Sequence, residues 1–184
     1  MTAFRKTMFA VLVAALALFA AGRPGHAGSA GEINAGVDAT LRQFFGQVPG
    51  ARELAGRAAG VLVFPTILKA GIGIGGEYGE GAMLIGGRPV AYYNSLSASI
   101  GFQLGAQARS VIIMFMTPQA LNSFRRVDGW KVGIDGSVAI ITVGVGGSID
   151  TTKVTKPVIG FILDPKGLMY NLTLEGSKIS RINR

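Results

Sequence analysis

Hydrophobic positions near the start of the chain recur at helical spacing. Ser29 and Glu32 form an S-x-x-E pattern that is typical of a capping box, which predicts a helix starting near Ala30. Apolar residues then follow at steps of three and four, as on one face of an amphipathic helix, until Pro49–Gly50 breaks the pattern. A second, shorter helix is predicted over about 51–59. The apolar stripe of the first helix consists of Ile33, Val37, Leu41, Phe44 and Val48.

After Gly60 the hydrophobic period changes from that of a helix to that of a strand. Val61–Phe64 predicts a first strand, which we expect Pro65 to end. Ser95–Gly105 alternates apolar and polar residues, as a strand with one buried face does. The run Val111–Met116 is apolar throughout, which predicts a central strand covered on both faces.

Three further elements are predicted in the last third of the chain. Thr117–Pro118 combines an N-cap with a proline at the first helical position, so a short helix should follow. The turn sequence Asp164–Gly167 predicts a hairpin between Val158–Leu163 and Leu168–Leu174. The segment Ser177–Ile182 is expected to add an edge strand.

The order of these elements predicts one α+β domain over residues 28–184. Helices are gathered at its N-terminal end, over about 30–59, and many short strands follow over about 60–184. We therefore expect N-terminal helices packed on a curved, mainly antiparallel, glycine-rich β-sheet or partial barrel. The chain has 184 residues, 49% of them hydrophobic, which suffices for a single core.

Residues 1–27 have the layout of a secretory signal peptide. A short basic start precedes an apolar run over 8–21, which is short for a membrane-spanning helix. Gly25 and Ala27 occupy the −3 and −1 positions of a cleavage site. We expect export and cleavage near Ala27, so that the mature protein lies in the periplasm or at the envelope. An uncleaved anchor helix is the alternative.

Composition then excludes several chemistries. The chain has no cysteine, and its one histidine, His26, lies in the predicted signal peptide. The mature chain can therefore run neither a Ser–His–Asp nor a Cys–His mechanism, and it can build no histidine or thiolate metal site. Removing Arg5, Lys6 and Arg23 from the formal net charge of +8 leaves +5. That charge favours anionic surfaces but is too diffuse to indicate nucleic acid.

Two motifs carry weaker chemical signals. Gly71, Gly73 and Gly76 match the letters of a dinucleotide-binding loop, but no acidic residue follows at the required distance and no helix is predicted after them, so we expect no nucleotide. Glu77 and Glu80 could form part of a carboxylate-based hydrolase, since glycoside hydrolysis needs no histidine. Solvated turn residues are the simpler interpretation of these two acids.

Basic and aromatic residues near the first helix form the candidate binding surface. Cations close to a membrane contribute about 1 kcal/mol each to binding anionic lipid. Phe44 belongs to the apolar stripe, which favours core packing, whereas Phe45 lies off the stripe and suits an exposed anchor. The predicted lipid-binding residues are Leu41, Arg42, Phe44, Phe45, Arg52 and Lys69.

Several segments together resemble the SYLF domain family, from about residue 35 onward. They comprise the sequence VLVFP at Val61–Pro65, the glycine-rich runs Lys69–Gly71 and Gly75–Gly81, and AYYN at Ala91–Asn94. The run Gly167–Ser177 is similar to the closing signature of the family.

The resemblance implies a non-enzymatic module without a cofactor. Eukaryotic SYLF domains bind phosphoinositides through an N-terminal amphipathic helix and nearby basic residues, and fungal members bind actin. For an exported bacterial relative, the resemblance implies a lipid-binding protein of the envelope that engages anionic phospholipid or the membrane surface, with envelope proteins as possible partners. The alternative is a structural or protein-interaction module, actin-binding-like or self-associating through its glycine-rich strands.

Overall fold

The structure, a computed structural model, describes residues 28–143, 155–166, 174 and 176–184. The predicted signal peptide and most of the second arm of the predicted C-terminal hairpin lie outside these residues. The elements in chain order are α1 (Ala30–Gln47), α2 (Ala51–Arg57), β1 (Gly60–Ile85), β2 (Arg88–Phe115), α3 (Pro118–Arg126), β3 (Trp130–Lys131), β4 (Ala139–Val143), β5 (Val158–Lys166) and β6 (Lys178–Ile182).

Helix α1 begins with the predicted capping box. The Ser29 hydroxyl accepts a hydrogen bond from the Glu32 backbone N–H at 3.3 Å, and the Glu32 carboxylate accepts one from the Ser29 N–H at 2.7 Å. These bonds satisfy backbone donors that have no partner within the first turn. Thr40, not Leu41, completes the buried stripe, and Leu41 lies half-buried beside it.

Strands β1 and β2 are much longer than the sequence pattern indicates and pair antiparallel along their lengths. Pro65 does not end the first strand, so that prediction was wrong. A register shift between Phe64 and Ile67 accommodates the proline, which has no N–H to donate to the ladder. Gly86 and Gly87 have φ values of +58° and +76° and join the strands in a two-residue turn, for which glycine is favoured.

The β1–β2 ribbon is long and curled, and β2 pairs with a different strand near each of its ends. β5 pairs with the end of β2, where Val111 faces Ile162, and β6 pairs with its beginning, where Ser95 faces Ile179. Within the described residues the sheet has six strands in the order β3-β6-β2-β5-β4, with β1 on β2, and only the β4–β5 pair is parallel. The N-terminal helices and this half-barrel confirm the predicted α+β fold.

Two hydrophobic cores hold the layers together. One fills the concave side of the half-barrel, and the other lies between the helices and the opposite face of the sheet. Ile113 and Phe115 of β2 belong to the first core, whereas Ile112 and Met114 belong to the second. Alternate residues of one strand point to opposite faces, so the predicted central strand, covered on both faces, is confirmed.

The predicted alternation at the start of β2 has an unexpected orientation. Leu96 is 54% exposed, whereas its neighbour Ser95 is 4% exposed. The apolar face of this part of the ribbon therefore points to solvent, and the polar face points inward. The reason lies in the adjacent interior, where charged side chains of β1 and β2 are buried.

The remaining predictions concern α3 and the C-terminal strand. The Thr117 hydroxyl caps α3 by accepting a bond from the Ala120 N–H at 3.2 Å, as the Thr-Pro pattern indicates. β6 forms where a strand was expected, but it lies between β2 and β3 and is therefore not an edge strand. The described residues include no helix that is long and apolar enough to cross a membrane.

Candidate functional site

A groove with a volume of about 350 Å³ opens between the two N-terminal helices and the β1–β2 turn. Its walls are formed by one face of α1, one face of α2, the beginning and end of β1, and the glycine turn. Most of the lining side chains are apolar or absent. The lining residues are Asp38, Leu41, Phe45, Arg52, Ala55, Gly56, Ala58, Val61, Leu84, Gly86 and Gly87.

The helical wall of the groove follows from the position of the buried stripe. Asp38, Leu41 and Phe45 are spaced by three and four residues, so they share the face of α1 beside the stripe that packs on the sheet. Leu41 and Phe45 are half-buried, with one side against the core and the other toward the groove. This apolar wall is accessible without unfolding any element.

Arg52 and Phe45 form a cation–π contact in the lining of the groove. The guanidinium carbon of Arg52, on α2, lies 4.6 Å from the centroid of the Phe45 ring. A guanidinium over an aromatic face is attracted by the ring quadrupole. The contact links the two helices and holds a cation at the edge of an apolar surface.

Three further arginines are neighbours in sequence of groove residues. Arg42 follows Leu41, Arg57 follows Gly56, and Arg88 follows Gly87, and all three are exposed. Asp38 is the acidic residue of the lining. With Arg52, four arginines lie in the lining or next to it in sequence, against Asp38 and the exposed Glu53, so this part of the chain carries a net positive charge.

Of the six predicted lipid-binding residues, the structure brings three together in the groove. Leu41, Phe45 and Arg52 line it, and Arg42 is exposed next to Leu41. Phe44 is 0% exposed, since its ring packs 4.9 Å from another core ring, so it offers no surface for a ligand.

Lys69 is also buried, because its ammonium pairs with a carboxylate inside the half-barrel. Its ammonium lies 3.3 Å from the Glu77 carboxylate, whose other oxygen accepts a hydrogen bond from Arg109 at 2.6 Å. All three side chains are at most 8% exposed. Burial lowers the pKa of Arg109, while the neighbouring carboxylate acts in the opposite direction. Lys69 was therefore wrongly expected at the binding surface.

The structure also separates the two acids of the hydrolase alternative. Glu77 points into the half-barrel, whereas Glu80, three residues further along the same strand, points to the other face. The two carboxylates do not form a pair, which the hydrolase alternative requires. No group of three or more His, Cys, Asp or Glu suited to a metal ion occurs in the part of the chain that the structure describes.

Sequence reasoning missed the sheet side of the groove. Val61 is 23 or more residues from Leu84 and the glycine turn, and they become neighbours only because β1 curls until its end meets its beginning. The spacing of Asp38, Leu41 and Phe45 is the one signal that could have located the helical wall.

The fold and its groove define a small α+β domain with a largely apolar surface cleft that is lined by one arginine and one aspartate. Residues 96–183 match the sequence model of the Ysc84 family, described as a Las17-binding protein actin regulator. The match covers just under half of the chain. Over those residues it confirms the SYLF family that the motifs indicate. At the family level it indicates a lipid- or actin-binding module. A comparison with curated proteins found no significant match.

Proposed function

We propose that this protein is a non-enzymatic lipid-binding protein of the bacterial envelope and that it binds anionic phospholipid at the groove between α1 and α2. The observation that carries the proposal is a largely apolar cleft lined by Arg52, with exposed arginines next in sequence to other lining residues. The family-level match to a lipid- or actin-binding module supports it.

The size of the groove determines how a lipid would bind. Ligand pockets commonly hold about 300–1,000 Å³, and this groove, at about 350 Å³, is at the small end of that range. Part of one acyl chain would occupy it, against Leu41 and Phe45, while the headgroup would stay outside with the arginines. We therefore propose peripheral attachment to a membrane surface, with the protein anchored and not inserted.

Two glycines provide a matched test of the groove. Gly56 lines the groove and Gly46 does not; both are helical and exposed, and an added Cβ would meet no atom within 4 Å at either position. Replacing glycine within a helix should raise, not lower, stability. Gly56→Phe therefore fills the groove without disturbing the fold, and Gly46→Phe adds the same side chain elsewhere.

Binding would be measured by co-sedimentation with vesicles of phosphatidylglycerol or of phosphatidylcholine. We expect the protein to bind the anionic vesicles, Gly56→Phe to lose at least tenfold in affinity, and Gly46→Phe to bind as the unsubstituted protein does. Arg52→Glu should weaken binding, and the difference should shrink at 0.5 M salt, where charges are strongly screened. Equal binding by the two phenylalanine variants would show that the groove is not the site.

A second candidate function, a protein-interaction module, is favoured by a different surface. Tyr78 and Leu96 on the outer face of the ribbon are 46% and 54% exposed and lie directly opposite each other. Clusters of exposed apolar side chains are typical of interfaces. If this face mediates self-association, sedimentation velocity should show concentration-dependent oligomers that Leu96→Ser abolishes, with no response to vesicles.

A further inference from the structure

Glu80 is placed at the meeting point of distant parts of the chain. Its Oε2 accepts a hydrogen bond from the backbone nitrogen of Gly28 at 3.0 Å, and its Oε1 accepts one from the Tyr78 hydroxyl at 2.6 Å. The Arg184 guanidinium also donates to Oε1. The Glu80 side chain is only 10% exposed, although β1 presents it on its outer face. A single carboxylate thus connects Gly28, which precedes α1, with Arg184, which follows β6.

Gly28 is well suited to this position. It immediately precedes Ser29, the N-cap of α1, whose own N–H is bonded to Glu32. A Cβ at Gly28 would lie 3.3 Å from Ile33 and 3.5 Å from the Glu80 carboxylate, so the absence of a side chain lets the backbone nitrogen approach closely. The sequence places the cleavage site of the signal peptide between Ala27 and this glycine.

We propose that Glu80 is the binding site for the α-ammonium group that signal-peptide cleavage creates at Gly28. Cleavage adds water to the peptide bond: the Ala27 carbonyl becomes a carboxylate, and the Gly28 nitrogen leaves as an amine that takes up a proton. A neutral amide donor 3.0 Å from the carboxylate thereby becomes a cation with three donors at the same place. The proposal depends on cleavage after Ala27 and is independent of lipid binding.

The surrounding charges favour this ion pair. Glu80 from β1 and Glu32 from α1 are the acids near Gly28, the Tyr78 hydroxyl bonds to Glu80, and the Arg184 guanidinium shares the Glu80 carboxylate. The Glu80 side chain is largely shielded from solvent, so salt screens this pair less than an exposed one. Processing would therefore fasten the start of α1, and with it one wall of the groove, only after the leader has been removed.

The pair has a pH signature. A neighbouring carboxylate favours the charged amine, so the α-ammonium should titrate above its usual pKa of about 7.7–8.0. A group whose pKa is raised by folding stabilises the protein fully below its unfolded pKa, and that contribution is lost as the pH rises through the folded value. Burial, together with the bond to Glu80, raises the pKa of Tyr78, so this phenol stays protonated over the same range.

The experiment exports the full chain in a bacterial host and purifies the processed protein. Intact mass identifies the first residue, and thermal unfolding is followed from pH 6.5 to 9.5. We expect a chain that starts at Gly28 and an unfolding midpoint that falls by about 2–4 °C more over this range than in Glu80→Gln. Inserting Gly-Ser between Ala27 and Gly28 moves the ammonium away and should abolish the same pH-dependent component.

One control separates the ammonium from the guanidinium that also binds Glu80, and a second tests for a general effect of removing a carboxylate. Arg184→Gln removes the guanidinium but leaves the pair with Gly28, so it should keep the alkaline pH dependence. Glu53→Gln removes an exposed carboxylate of α2 and should change nothing. If Glu80→Gln does not fold, the insertion variant and an α-acetylated protein still carry the test. A chain that starts at another residue, or an alkaline limb that the insertion leaves unchanged, would overturn the proposal.

Discussion

Glu77 is the residue whose environment differs most from what its sequence context suggests. It occupies a glycine-rich segment that reads as a solvated turn, yet its carboxylate is buried between Lys69 and Arg109. The three residues come from parts of β1 and β2 that the curled ribbon brings together. Burying a carboxylate is costly unless it is paired, so this arrangement is one that the fold must hold firmly.

At this scale we predict that Glu77→Gln lowers the free energy of unfolding by about 3–5 kcal/mol, because it leaves two cations in the interior without their carboxylate. Urea denaturation would measure the loss. Glu53→Gln, at an exposed position of α2, is the matched control and should change stability by less than about 0.5 kcal/mol. If both variants lost similar, small amounts, the cluster would make no net contribution to stability.

At the scale of elements, β1 is unusual because it packs against itself. A Cβ at Gly79 would lie 2.6 Å from the Thr66 carbonyl oxygen, and one at Gly81 would lie 2.8 Å from the Phe64 ring and closer still to the Val63 carbonyl oxygen. The later half of the strand therefore meets the backbone of the earlier half through glycines. This close approach allows one long ribbon to form both walls of the half-barrel.

We therefore predict that Gly81→Ala lowers the free energy of unfolding by at least about 1 kcal/mol, because the added methyl group overlaps backbone atoms that cannot move independently. The same change at Gly46, in α1 with open space around it, should raise stability by about 0.5–1 kcal/mol. Chemical denaturation of the two variants tests both signs. A tolerated Gly81→Ala would mean that the two halves of β1 are further apart than the structure shows.

At the scale of the whole molecule, Glu80 links α1, the ribbon and the C-terminal residues of the described chain. Burial by itself raises the pKa of Glu80, but the hydrogen bonds from Tyr78 and Arg184 outweigh it, and the resulting pKa is lowered. A carboxylate with a lowered folded-state pKa stabilises the protein above its unfolded pKa, near 4.3, and loses that contribution as the pH falls.

It follows that acid should release this link. Between about pH 5 and pH 3, the unsubstituted protein should lose more stability than Glu80→Gln does, since glutamine cannot be protonated in this range. Unfolding midpoints measured at several pH values would show two curves that converge toward acid. Parallel curves over that range would contradict the assignment.

Local patterns in the sequence predicted the elements whose causes are local. The capping box at Ser29 and the cap at Thr117 depend on neighbouring residues and backbone preference, and the structure contains both. The apolar stripe of α1 was predicted to within one position, with Thr40 buried in place of Leu41. Three of the eleven lining residues of the candidate groove, Leu41, Phe45 and Arg52, were predicted from the same local pattern.

What remained undetermined depended on contacts between residues far apart in the chain. The sequence by itself determined the helix boundaries, the change of period near Gly60 and the α+β class, because these follow from side-chain spacing and backbone preference. Only the tertiary structure decided that Leu96 faces solvent and Ser95 the interior, that Lys69 is buried, and that the glycine turn closes the groove. A period-2 pattern separates two faces of a strand but does not say which is inside; that depends on what the curled ribbon encloses.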